Sequence, residues 1–242
     1  MLRTEKAFLT AEWRDLLLLN YEIAPDFLRG FVPRGTELDS FNGKTYVSLV
    51  GFRFCKTRYL GRFPIPFHSD FKEINLRFYV RRKVTGEIRR GVVFIAEIVP
   101  KLAVAKTARW LYGENYACRR MKVSWIENAQ GKTVGYGWEG GSGWCGLKAR
   151  IEGEPSLPAE GSVQQFITEH YWGYSRQKPS RSLEYRVAHV PWKVWAASHA
   201  EFSGNSSDLY GEAIARILSR PPDSAFVAQG SEVSVFRGNT IP

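Results

Sequence analysis

The segment FKEINLRFYVRR, residues 71–82, constrains the fold more than any other part of the chain. Ile74, Leu76, Phe78 and Val80 alternate strictly with Glu73, Asn75, Arg77, Tyr79 and Arg81. A period of two places these sets on opposite faces of an extended strand, a pattern that no helix satisfies. The apolar face belongs in a core. The polar face is either the wetted side of an antiparallel sheet or the lining of a closed sheet around a cavity. Asn75 and Tyr79 are less usual on an exposed edge than Lys or Thr, which keeps the second option open.

The rest of the chain repeats the strand signal. KTYVSLVGFRF (44–54) alternates, and the turn TGE (85–87) leads into IRRGVVFIAEIVP (88–100), rich in β-branched residues. RRMKVSWIE (119–127) and KTVGYGWEG (132–140) read as a hairpin around NAQGK. QQFITEHYWGY, RSLEYRVAHVPW, VWAASHAEF and AFVAQGSEVSVFR supply further β-rich material between 164 and 237. Helix signals are few. Pro25 and Asp26 suit a first turn that Pro33 ends, KLAVAKTARWLYG closes on Gly113, and a short helix falls around Leu209–Leu218. About ten strands and three short helices predict an α+β fold, mostly antiparallel and barrel-like. EGEPSLPAEG (152–161) is the best boundary candidate, but strands flank it on both sides, so it reads as a loop within one domain.

Composition narrows the function. Cys55, Cys118 and Cys145 lie far apart with no CxxC, and the four histidines show no HxH or HxxxH, so no metal site and no disulfide framework is expected. No apolar run reaches the roughly 18 residues of a membrane span, and the N-terminus has no apolar signal core, which makes a cytoplasmic protein the default. The net charge of +10 raises nucleic acid as a partner. Its densest clusters, RRKVTGEIRR and CRRMK, are interrupted by apolar strand residues, so generic basicity is the favoured reading. No nucleophile elbow, phosphate loop or dinucleotide fingerprint is present, and no cofactor is expected. EHYWGYSR (169–176) mixes charged and aromatic residues, which suits either a ligand site or a half-buried strand.

WRDLLLLNYEI, VPRGTELDSFNGKTYVSLVGFRF, FKEINLRFYVRR, RRGVVFIAEIVP, ARWLYGENY, ITEHYWGYS and VAHVPW, in this order along nearly the whole chain, resemble the YqjF-like uncharacterised family. That family is related to the acetoacetate decarboxylase-like superfamily. The resemblance implies one acetoacetate decarboxylase-like domain over residues 1–242, a cone-shaped antiparallel β-barrel with a central cavity and a few short helices. It implies no established activity. The decarboxylase relatives carry a YxE motif and later a lysine pair, the first lysine forming a Schiff base with a keto acid. FKE is similar to YxE and places Glu73 as the matching acid. YGENYACRRM resembles the later segment and places Arg119 and Arg120 at or near the lysine pair. A guanidinium stays protonated and cannot serve as an amine nucleophile, so this likeness implies loss of the imine-forming step.

The reading that follows is a small-molecule-binding barrel for an anionic, carboxylate-type ligand, with enzymatic activity left open. Glu73, Asn75, Arg77, Tyr79, Glu114, Arg119, Arg120, Glu169 and Tyr171 are the candidate cavity residues. Strand alternation allows one of Arg119 and Arg120 to face inward. Alternatives are a divergent decarboxylase or lyase acting on a keto acid, and a basic nucleic-acid or protein-interaction module. Exposed edge strands leave a homo-oligomer open.

Overall fold

The computed structural model describes residues 6–64, 69–129, 131–178 and 181–241. Strands dominate it. They are β1 (Leu9–Ile23), β2 (Glu37–Leu38), β3 (Thr45–Tyr59), β4 (Phe63–Pro64), β5 (Phe71–Val84), β6 (Glu87–Val99), β7 (Tyr116–Cys118) and β8 (Met121–Asn128). After them come β9 (Gly131–Gly140), β10 (Gly143–Ser156), β11 (Trp172–Lys178), β12 (Arg181–Ala188), β13 (Val194–Ser203), β14 (Ser224–Val235) and β15 (Asn239–Ile241). Four short helices intervene: α1 (Pro25–Arg29), α2 (Leu102–Tyr112), α3 (Val163–Thr168) and α4 (Ser207–Leu218).

All the strands belong to one sheet, and part of it closes on itself. Hydrogen bonding runs β12–β11–β6–β5–β3–β1–β14, and β14 pairs back to β12, which completes a ring. From β14 the sheet continues through β13, β10 and β9 to β8. Pairing is antiparallel except where β6 meets β11 and β7. The expectation of a mostly antiparallel α+β fold therefore holds. More strands are present than the pattern suggested, because β2, β4, β7 and β15 are two or three residues long and too short to show alternation. QQFIT is a correction: it forms α3, not strand, started by Ser162, whose hydroxyl accepts from the Gln165 N–H at 3.2 Å.

Alternation then decides which side of the ring each residue takes. Ile74, Leu76, Phe78 and Val80 of β5, with Leu17 and Leu19 of β1, face outward. The β9–β10 arm and α4 fold over them, contributing Val134, Tyr136, Trp138, Leu147 and Ile214 to the largest core cluster. Each large side chain sealed there contributes about 1.5–3 kcal/mol, so the ring wall is stiffened from outside. The opposite residues of the same strands point to the ring interior. Glu73, Asn75 and Arg77 lie there, and each is buried.

Candidate functional site

The interior holds a cavity of about 300 Å³ to which every strand of the ring contributes, with Ala103, Val104 and Thr107 of α2 along its border. Its walls differ in character. On the β1–β3 side Trp13 stands edge-on to Phe52, Phe54 and Trp192, with ring centroids 5.5, 5.7 and 6.1 Å apart. On the other side β5, β6, β7 and β12 present ionisable groups.

Register explains how those groups meet. Asn75 of β5 pairs with Glu97 of β6, and Glu97 pairs with Tyr116 of β7. Glu114 sits just before β7, and Tyr185 of β12 reaches it, its hydroxyl donating to Oε1 at 2.6 Å. Gly173 opposes Tyr185 across β11–β12, and a methyl there would overlap the Tyr185 ring, so this position needs glycine. Asn75 Nδ2 donates to Glu73 Oε1 at 3.1 Å, and the Tyr116 hydroxyl donates to Oε2 at 3.3 Å.

Burial governs the protonation of this cluster. It pushes the Glu73 carboxyl up to about 8, helped by the charge of Glu114 and opposed by the bonds from Asn75 and Tyr116 and by Arg77. Burial likewise takes Glu114 up to about 7, against the bond from Tyr185. Glu97 is raised well above the usual carboxylate range by burial and by both neighbouring glutamates. Near neutral pH Glu73 and Glu97 are mainly uncharged, because desolvation disfavours the ionised form, while Glu114 is close to its midpoint.

Arg77 stands beside them. It is 7% exposed and lines the cavity, and its Nη2 donates to the Ile167 carbonyl at 3.3 Å. Its Nε has no hydrogen-bond partner, and among the described residues no carboxylate lies within ion-pair distance of it. Asn75 Oδ1, Glu97 Oε2, Trp13 Nε1 and His170 Nδ1 are also buried without a partner on residues that line the same cavity. His189 lines it too, stacked on Trp192 at 4.1 Å, with burial lowering its pKa to about 4.

Of the residues expected from sequence, Glu73, Asn75, Arg77 and Glu114 come together here. Tyr79 is buried on the Arg77 side but is not part of the lining; its hydroxyl is engaged with Ser48 at 2.6 Å. Glu169 caps α3 and accepts from Gln165, and Tyr171 packs on His189, so neither lines the cavity. Neither Arg119 nor Arg120 faces inward, against the alternation argument. Both are exposed between β7 and β8, Arg120 reaching Glu139 at 3.5 Å. The break between these strands removes the alternation that would have turned one of them inside. Glu97, Tyr116 and Tyr185 are not among the expected residues, and a lone acid within the apolar run Val92–Val99 is the one signal for Glu97. His170 falls within EHYWGYSR, the stretch that suits a ligand site, without being one of its two expected side chains. Among the described lining residues there is no lysine. No group of three or more His, Cys, Asp or Glu arranged to hold a metal occurs among the described residues, which do not include His68. No described helix is long and apolar enough to cross a membrane.

A family model for DUF2071, described as an uncharacterized conserved protein, matches residues 10–232. The chain belongs to this family. It is 35% identical over 205 residues to the uncharacterized protein YqjF of Bacillus subtilis (strain 168), covering 82% of this chain and 80% of that protein. Among solved structures it is similar to acetoacetate decarboxylase from Legionella pneumophila, with TM-score 0.69, 14% identity, and 100% of this chain and 90% of that one covered. It also resembles the enduracididine biosynthesis enzyme MppR complexed with pyruvate (TM-score 0.66, 12% identity, 96% and 90% covered). A third likeness is to an acetoacetate decarboxylase-like enzyme from Sphingomonas wittichii RW1 (TM-score 0.63, 14% identity, 97% and 92% covered). At these identities the structural likenesses establish the acetoacetate decarboxylase-like fold and nothing finer.

Proposed function

We propose that the ring cavity binds a small organic acid, its carboxylate on Arg77 and its apolar body against Trp13, Phe52, Phe54 and Trp192. The observation that carries this reading is the buried Arg77 guanidinium that lacks a carboxylate partner. A buried charge is stable when paired, and a planar guanidinium fork matches a carboxylate. Glu73 and Glu97 do not take that role because burial keeps them mainly protonated, and as neutral groups they do not repel an incoming anion. MppR, of the same fold, was captured with pyruvate, itself a small carboxylate. Binding of this kind needs no imine, and Arg119 and Arg120 take no part in it.

The test is calorimetry and thermal shift with arylalkanoic acids of graded length, 3-phenylpropionate among them, on the wild type, Arg77→Gln and Arg119→Ala. Arg77→Gln weakens binding by about ten- to a hundredfold, the span of a charge-assisted hydrogen bond. Arg119→Ala leaves it unchanged. Equal affinity in wild type and Arg77→Gln, or no acid bound at all, overturns the reading.

A further inference from the structure

Another side chain with a buried, unpartnered polar atom, His170, borders the cavity. Asp39, fully buried, accepts from His170 Nε2 at 3.3 Å and from Arg90 Nε at 3.0 Å through the same Oδ2. Its other oxygen takes the Ser40 N–H at 3.0 Å and Arg90 Nη2 at 3.4 Å. Burial would raise this carboxyl, but the bond from His170, the ion pair with Arg90 and the Ser40 N–H hold it below its ordinary value. Asp39 is therefore a carboxylate, which only accepts hydrogen bonds, so Nε2 of His170 must carry its proton. Burial, with Arg90 and Arg77 nearby, lowers the His170 pKa and keeps the ring neutral. A neutral imidazole with its proton on Nε2 has its lone pair on Nδ1. That atom is buried, has no hydrogen-bond partner, and belongs to a ring that lines the cavity.

His170 and Arg77 stand on one side chain. The Tyr79 ring lies 4.7 Å from the His170 ring and 5.8 Å from the Arg77 guanidinium carbon. Phe166 packs against both rings, 5.0 Å from His170 and 5.3 Å from Tyr79, so the imidazole is held in place by packing as well as by Asp39. An acceptor without a partner, His170 Nδ1, thus neighbours a cationic side chain with one unpartnered N–H, Arg77 Nε, on two residues that line one cavity.

We propose that Asp39 fixes His170 as the hydrogen-bond acceptor of the site, and that the ligand is a hydroxy acid, with carboxylate on Arg77 and hydroxyl donating to His170 Nδ1. This rests on the organic-acid reading above and names the ligand class within it. An acid without the hydroxyl leaves Nδ1 buried and unpaired, whereas a hydroxy acid satisfies it.

Two measurements decide it. In the first, 3-phenyllactate and 3-phenylpropionate are compared by calorimetry on the wild type and His170→Phe, a variant that keeps a ring against Tyr79 and Phe166. The wild type binds the hydroxy acid about tenfold tighter, and His170→Phe loses that preference while still binding both. A wild type that binds both acids equally overturns the hydroxy-acid inference and leaves the organic-acid reading standing; binding of neither removes both. The second uses no ligand: nitrogen-15 NMR of histidine-labelled protein at pH 7 shows His170 neutral, with the proton on Nε2. A proton on Nδ1, or a charged ring, overturns the inference whatever the binding data show.

Discussion

Glu73→Gln tests the protonation of the cavity directly, because an amide keeps the shape of a protonated carboxyl but cannot ionise. Burial raises Glu73 to about 8 in the folded state, against an ordinary value of 4.5. The folded protein therefore holds a proton that the unfolded chain releases, and stability falls as pH rises. The contribution is intact below pH 4.5 and gone once pH has passed about 8. Two histidines act in the opposite sense lower down. Burial depresses His170 and takes His189 to about 4, so their cost is felt as pH falls below 6.5. At pH 6.5 the unfolded histidines are still half protonated, so between pH 6.5 and 8 the two together return about 0.8 kcal/mol against the larger loss from the glutamates. Over that span Glu73 costs about 2 kcal/mol, at ~1.4 kcal/mol per unit of pH. Removing it also relieves Glu97, which its charge helps to raise, so the variant's slope flattens further. The assay is urea unfolding at pH 6.5 and 8. The wild type loses stability by about 2 kcal/mol or more between the two, and Glu73→Gln loses at least that much less. Parallel changes in the two proteins would refute the claim that Glu73 is protonated in the fold.

Two further outcomes concern what surrounds the cavity. Glu184 is buried in β12 and accepts from Arg82 and from Arg89 Nη1, the latter at 2.6 Å, so Glu184→Ala takes the carboxylate from Arg82 and leaves Arg89 with the exposed Glu87 alone. It lowers unfolding stability by about 2 kcal/mol, and a cost within experimental error would show the pairs to be dispensable. Gly173→Ala forces the Tyr185 ring from its place, which breaks its bond to Glu114. Near-ultraviolet circular dichroism changes and the melting temperature falls; an unaltered spectrum with unaltered stability would contradict the close approach.

The alternation of residues 71–82 was enough to assign a strand with one apolar and one polar face, because side-chain direction in a strand depends on local geometry alone. It also brought Glu73, Asn75 and Arg77 together as one row, since every second residue shares a side. Neither the fate of that row nor its company was local. A polar face is wet in an open sheet and enclosed in a ring, and the pairing of β14 with β12, far from β5 in sequence, closes this one. Glu97 looked like an acid stranded in an apolar run, and only its pairing with Asn75 and Tyr116 makes it part of a cluster. The same holds for His170, whose chemistry is set by Asp39, a loop residue 131 positions away. Arg119 and Arg120 show the converse: a local rule inferred from adjacency failed because the chain leaves one strand before it enters the next. Sequence by itself determined which residues could share a face. The closure of the sheet decided which face was enclosed, because long-range pairing sets burial, and burial sets the charge that each group carries.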